Sequence, residues 1–163
     1  MARVYISIGS NIEAEKHVRV AVAELREHYG EVALSPVYES EAVGFEGDNF
    51  LNLVAGLETA EDVHAVSDVL HGIEDRHGRR RDGPRFSART LDLDLLLYDD
   101  LVLDEPGLQI PRDEITRNAF VLRPLADLAP QCVHPLKRRT MAELWRDYDQ
   151  ASQVLWPVPF SFA

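Results

Sequence analysis

Asp92 and Asp94 stand two positions apart in the run LDLDLLLY, residues 91–98. In an extended strand, side chains at i and i+2 point the same way with backbones about 6.8 Å apart, so two carboxylates so placed can bracket a hard cation. By simple alternation, leucines 91, 93, 95 and 97 share one face of this strand, and Asp92, Asp94 and Leu96 share the other. Two like charges beside leucines are costly to bury without compensation, so the pair must be solvated, matched by arginine or bound to metal. On spacing alone, an exposed strand face explains two aspartates about as well as a metal site does.

The residues just before this strand shift that balance. Between Arg76 and Arg89 the segment RHGRRRDGPRFSAR holds six arginines against one acid, Asp82, in a chain whose formal net charge is −11. Arginine presents fixed, charge-assisted forks to phosphate oxygens, while magnesium bridges the same oxygens from another side. Together the two features describe a site for a nucleoside triphosphate. Arg76 and Arg80 are read instead as partners of the surplus surface acids. No Walker-type glycine loop and no protein-kinase signature set is present.

The elements that must position these residues follow from periodicity. Residues 3–8 alternate as a strand. Ser10 and Glu13 have the spacing of a capping box, and Val18, Ala21, Val22, Leu25 and Tyr29 form one helix face closed by Gly30. Strands are expected at 31–38 and 50–58, separated by a loop at 40–49, with a second helix from Val63 to near Gly78 and the aspartate strand after it. The order βαββαβ suits an α+β, ferredoxin-like antiparallel sheet with both helices on one face. Beyond Asp100 the chain carries prolines 106, 111, 124, 130 and 135, a proline-rich C-terminal extension with only short helices, one at 141–148.

Composition limits the alternatives. At 163 residues, with 45% hydrophobic and 28% charged residues, residues 1–163 are expected to form a single globular domain. No stretch approaches the roughly 18 uncharged apolar residues of a membrane span. The opening MARVYISIGSN has no secretory pattern, and the lone Cys132 is read as a small buried residue, so a cytoplasmic, non-membrane protein is expected. The acidic balance argues against nucleic acid as a partner.

Four separated motifs then bring a resemblance. The strings Arg89-Thr-Leu-Asp92-Leu-Asp94-Leu-Leu, Ile6-Ser-Ile-Gly-Ser-Asn11, Phe50-Leu-Asn52 and Phe120-Val-Leu-Arg-Pro-Leu-Ala-Asp-Leu-Ala-Pro130 resemble the 6-hydroxymethyl-7,8-dihydropterin pyrophosphokinase family of folate biosynthesis, over residues 3–130 or so. The resemblance implies transfer of diphosphate from ATP to the pterin hydroxymethyl group, with AMP as the other product. It implies two Mg²⁺ ions on Asp92 and Asp94, and phosphate contacts or guidance from Arg79, Arg81 and Arg89. His71, Glu74 and Leu95 fall where the family meets the nucleotide. Phe50 and Phe120 look like the rings that enclose the pterin, with Asn52 and the chain near Ser40 and Val43 reading its polar edge.

Flat heterocycles are held by offset stacking and a few fixed polar groups, so the residue types agree with that assignment. For each phenylalanine taken alone, core packing is the commoner explanation. The chain departs from the family pattern after Pro111. Arg112 replaces the usual histidine, Asn118 stands where an arginine is typical with Arg117 beside it, and Phe86 replaces a tryptophan. Arg112 and Arg117 are therefore taken as substitute ATP contacts. A monomer is expected. The departures motivate one alternative, a weakened paralogue that binds a pterin or nucleotide. A ferredoxin-like module for a small ligand or RNA is another, disfavoured by the absence of aromatic RNP motifs.

Overall fold

The computed structural model describes residues 1–41, 49–77 and 91–162. Strand β1 (Ala2–Ser10) leads into helix α1 (Ala14–Tyr29). The short β2 (Ala33–Leu34) and β3 (Val37–Ser40) precede β4 (Phe50–Thr59), helix α2 (Val63–Arg76) and β5 (Asp92–Tyr98). A hairpin of β6 (Leu103–Glu105) and β7 (Leu108–Ile110) follows. Helices α3 (Glu114–Arg117), α4 (Ala119–Leu128) and α5 (Met141–Arg146) then lead to a last strand, β8 (Leu155–Val158). It is a mixed α/β structure with an antiparallel sheet, ordered β5-β1-β4-β3-β8, and β2 pairs with β4 as well.

Each half of the sheet buries a face for a different reason. Alternation along β1 and β4 sends Ile6, Ile8, Leu53 and Leu57 to one side. There they meet Val18 and Leu25 of α1 and Val66, Leu70 and Ile73 of α2. On the opposite side Val54 and Leu96 pack with Leu122 and Leu125 of α4 and with Met141 of α5. The C-terminal part of the chain is thus the cover of the second face. Pro124 is tolerated inside α4 although it removes one helical hydrogen bond, and its ring is buried.

Several expectations change on the structure. The leucine stripe of β5 breaks at a bulge: Tyr5 pairs with Leu97 but Ile6 pairs with Leu95, leaving Leu96 as the extra residue. A bulge of this kind resets the alternation. Leu97 therefore joins the second core with Leu96, whereas Leu93 and Leu95 stay in the first. The strand expected over 31–38 is split at Ser35 and Pro36. Ser35 N donates to the Val54 carbonyl and its hydroxyl accepts from Val54 N, both at 2.9 Å, so the side chain carries the pairing past the break.

The Ser10/Glu13 capping box does not form. Ser10 ends β1, its hydroxyl donating to the Ile12 carbonyl, and Glu13 enters α1 at φ 44° without a side-chain cap. A capping box is present elsewhere, between Thr140 and Glu143 at the start of α5, a helix that stops at Arg146 rather than 148. The edge strand β8 was hidden in the sequence by Pro157, which lies opposite Tyr38 at the sheet margin where a missing N–H is tolerated.

The bulge has a measurable consequence. Leu97 is fully buried in the second core, so Leu97→Ala should lower the free energy of unfolding by about 2–5 kcal/mol in denaturant melts. A change within about 0.5 kcal/mol, as at ordinary surface positions, would put Leu97 outside that core.

Candidate functional site

Polar side chains gather at one end of the second face. Register fixes their order: Gly9 pairs with Asn52 of β4 on one side and with Asp92 of β5 on the other, and Ser7 pairs with Asp94. On β3, Ser40 lies opposite Phe50 and Tyr38 opposite Asn52. Lateral partners in a sheet share a face, so Asp92, Asp94, Asn52, Ser40 and Phe50 come together at the C-terminal end of β1. Gly9, at the centre of this group, leaves room for the Asn52 amide. A Cβ there would sit 2.9 Å from Asn52 Oδ1. Asn52 is buried, and its amide nitrogen donates to the Ser40 hydroxyl at 3.2 Å.

Asp92 and Asp94 are both partly buried. Arg112 approaches Asp94, with Nη2 3.5 Å from Oδ1, while its Nη2 and Nε lie 2.8 and 3.0 Å from Glu114 Oε1. Its backbone N–H donates to the Leu96 carbonyl, which docks the segment before α3 along the outer edge of β5. Partial burial disfavours the Arg112 charge. The carboxylates of Asp94 and Glu114 outweigh that effect and hold the guanidinium protonated beyond its usual range. Arg112, expected as a phosphate contact, is thus also the counter-ion of one of the two aspartates.

Glu74 has a role that its sequence position did not disclose. It is almost wholly buried, and its Oε2 accepts the Leu93 N–H at 2.9 Å. Leu93 lies between the two aspartates, so α2 grips β5 at the point where the carboxylates must be aimed. Residues at i and i+2 on a strand edge direct their backbone groups alike, so the Leu95 N–H also faces outward. The Leu95 side chain points into the first core. His71, one turn before Glu74, is exposed on α2. At the end of α2, Glu24 of α1 accepts from Arg76 at 2.7 Å and meets His77 Nε2 at 2.5 Å. Arg76 is therefore a surface ion-pair partner, as read from the sequence.

Phe120 sits in the first turn of α4, partly buried against the second core. Asn118 caps α4 by its backbone only. Gln153 staples this junction instead, its Oε1 accepting from Ala119 N at 2.7 Å and its amide nitrogen donating to the Arg117 carbonyl at 3.2 Å. The Arg117 side chain points outward and pairs with Asp113 at 3.3 Å. Arg79, Arg81, Arg89 and Val43 lie outside the described residues.

The arrangement offers paired hard oxygen donors on the same sheet face as Phe50 and the hydrogen-bonded Asn52–Ser40 pair. Among the described residues no group of three or more His, Cys, Asp or Glu could hold a metal ion, so any cation here depends on two carboxylates and on ligands brought by a substrate. That is how magnesium usually binds, through one or two carboxylates, waters and phosphate oxygens. The donor set fits it.

Comparison with known proteins sets the class first: the relatives are enzymes named as pyrophosphokinases. Residues 5–130 match the family described as 7,8-dihydro-6-hydroxymethylpterin-pyrophosphokinase (HPPK), and the chain belongs to that family. The 2-amino-4-hydroxy-6-hydroxymethyldihydropteridine pyrophosphokinase of Pseudomonas aeruginosa is 42% identical over 132 residues, covering 78% of this chain and 81% of that protein. The enzymes of the same name from Aquifex aeolicus and Bacillus subtilis are 32% and 33% identical, covering 88% and 93% of this chain and 90% and 89% of their own lengths. In structure, a crystallised HPPK-DHPS in complex with substrates superposes with a TM-score of 0.73 at 12% identity. That match covers 92% of this chain and 44% of the longer one, a likeness of fold.

The grip of Glu74 on β5 can be tested directly. Glu74→Ala leaves the buried Leu93 N–H without this acceptor and should cost about 1–3 kcal/mol of stability. The Leu93 amide should exchange faster with solvent in the variant. Unchanged exchange at Leu93 would mean that β5 is held without Glu74.

Proposed function

We propose that this chain transfers the β,γ-diphosphate of ATP to the hydroxymethyl group of 6-hydroxymethyl-7,8-dihydropterin, a step of folate biosynthesis. What carries this reading is a juxtaposition in a chain of this family: Gly9 has the Asp92 carboxylate strand on one side and the Asn52–Ser40 pair on the other. The pterin hydroxyl oxygen attacks the β-phosphorus of ATP and releases its proton to solvent. The bond from that phosphorus to the bridging oxygen of the α-phosphate breaks, and AMP departs with the oxygen.

Two Mg²⁺ ions, when bound with ATP, would be held by Asp92 and Asp94 and would neutralise phosphate charge. The chain's own residues bind and orient. Asn52 and Ser40, with the backbone near Val43, read the polar edge of the pterin, and Phe50 and Phe120 enclose its rings. Arg79, Arg81 and Arg89 meet phosphate charge, and Arg112 and Arg117 supplement them. Arg112 is the better placed of that last pair, because Glu114 and Asp94 hold it beside the carboxylates. His71 and the outward backbone of Leu95 line the nucleotide side, and Glu74, buried on the Leu93 N–H, supports that side from within. Rate enhancement comes from orientation and preplaced charge, with no covalent enzyme intermediate.

The strand order β5-β1-β4-β3, with α1 and α2 on one face, supports a ferredoxin-like sheet as the core of one domain over residues 1–163, to which the proline-containing C-terminal part adds a cover and an edge strand. No helix among the described residues is long and apolar enough to cross a membrane. We take the protein to act as a cytoplasmic monomer on ATP and the pterin, without nucleic acid.

The deciding assay follows AMP formation from ATP, Mg²⁺ and the dihydropterin. Asp92→Ala and Asp94→Ala should each abolish turnover with the fold retained by circular dichroism. Near-normal rates in both would sink the metal assignment. Arg112→Ala should slow AMP formation by an amount equivalent to about 1.5–3 kcal/mol, the worth of one charge-assisted contact. An inactive wild type that regains turnover as Asn118→Arg would instead identify a weakened paralogue.

A further inference from the structure

Away from the phosphate chemistry, β3 and α4 are joined by a set of contacts that the reaction does not use. Tyr38 is 3% exposed, and its register partner is Asn52. Its hydroxyl donates a short hydrogen bond to Asp127 Oδ2 on α4. One helical turn back, the Arg123 guanidinium lies over the Tyr38 ring at 5.2 Å and over the Trp145 ring of α5 at 5.4 Å. Trp145 stacks on Tyr148 at 5.7 Å, and the Tyr148 hydroxyl donates to the Arg117 carbonyl at 2.7 Å, three residues before Phe120.

The spacing on α4 gives these contacts their meaning. Phe120, Arg123 and Asp127 follow at i, i+3 and i+7, one stripe of the helix. The stripe that presents Phe120 is therefore tied to β3 by the next two residues along it. An arginine between packed aromatic rings is held by the quadrupoles of both faces and by its planar shape, a contact that an aliphatic side chain does not reproduce. Burial, together with the Asp127 bond, raises the Tyr38 phenol above its ordinary value, so it stays protonated as the donor.

We infer that Tyr38, Arg123 and Asp127 form a clasp that sets the separation between Phe120 on α4 and the Asn52–Ser40 edge on β4 and β3, and so tunes affinity for the flat heterocycle. The inference rests on the pterin reading of that recess. These are positioning residues: they act through Phe120 and Asn52. The clasp holds one wall of the pterin slot against the other and leaves the Asp92–Asp94 end untouched, so its loss should affect one substrate and spare the other.

The test separates substrates by their kinetic constants. In Arg123→Ala, KM for the dihydropterin should rise about tenfold, the size expected of a partly buried cation–π contact with two rings, while KM for ATP and kcat stay within about twofold. Tyr38→Phe, which keeps the ring and loses only the bond to Asp127, should give a smaller rise of about threefold, roughly one neutral hydrogen bond. Arg123→Lys should recover part of the loss. Binding of the dihydropterin without ATP, followed by quenching of Trp145 emission in a Trp156→Phe background, should weaken in the same order.

An unchanged pterin KM in both Arg123→Ala and Tyr38→Phe overturns the clasp. So does a parallel rise in both KM values with a fall in melting temperature, which would mark a merely structural role. Should Arg123→Ala fail to fold, Tyr38→Phe decides alone. A wild-type chain that neither binds nor turns over the dihydropterin overturns the functional reading together with the clasp, whereas an active wild type with indifferent variants overturns the clasp only.

Discussion

The rest of the molecule depends on a sheet whose two faces are covered to different extents. The face beneath α1 and α2 carries the larger apolar core, with buried Ser10 and Thr59 at its two ends. The other is apolar only where α4 and α5 cover it, around Val54, Leu96 and Leu97. Polar groups cannot sit unpaired under such a cover without a penalty of more than about 1 kcal/mol each. Asp92, Asp94, Asn52 and Ser40 therefore occupy the end of that face beyond the second core. Solvation and packing together determine where these polar side chains collect.

Charge is organised around that end in layers. Arg112 answers Asp94, Glu114 answers Arg112, and Glu74 holds the intervening backbone from the far side of the strand. An arginine offers the carboxylate pair partial neutralisation of its repulsion, and an anchored one does so at lower entropic cost than a free side chain. Glu114, two residues on from Arg112, gives that guanidinium its second partner.

The sequence disclosed the parts governed by local periodicity. Alternation in residues 3–8 and 50–58 and the apolar stripes of α1 and α2 needed only the pleat and the helical turn, and each recurs in the structure within a few residues. The carboxylate pair was visible because i and i+2 suffice to describe it. What escaped notice depended on long-range pairing. The bulge at Leu96 exists only relative to Tyr5, and β8 only relative to β3. Glu74 was read only as a nucleotide-side residue, and its bond to the Leu93 N–H needed β5 to be in place. The aromatic and arginine contacts joining Tyr38 to α4 span 85 residues or more and have no periodic signature. Gly9, where the strand was read as ending, lies inside β1 next to Asn52, and a glycine so placed often marks a close approach.

That glycine also makes the sheet a ruler. Asn52 and Asp92 are separated by β1 alone, so their backbones stand two strand spacings apart, roughly 9–10 Å. Hydrogen bonding between strands fixes this interval far more firmly than any loop could, because stretching it would break a ladder on each side of β1. On the proposed reading, a molecule read at one mark must present its reactive arm at the other. Selection by length is then built into the backbone itself: a ligand with the correct ring but an arm one atom longer or shorter would be recognised and held, yet out of register with the carboxylates.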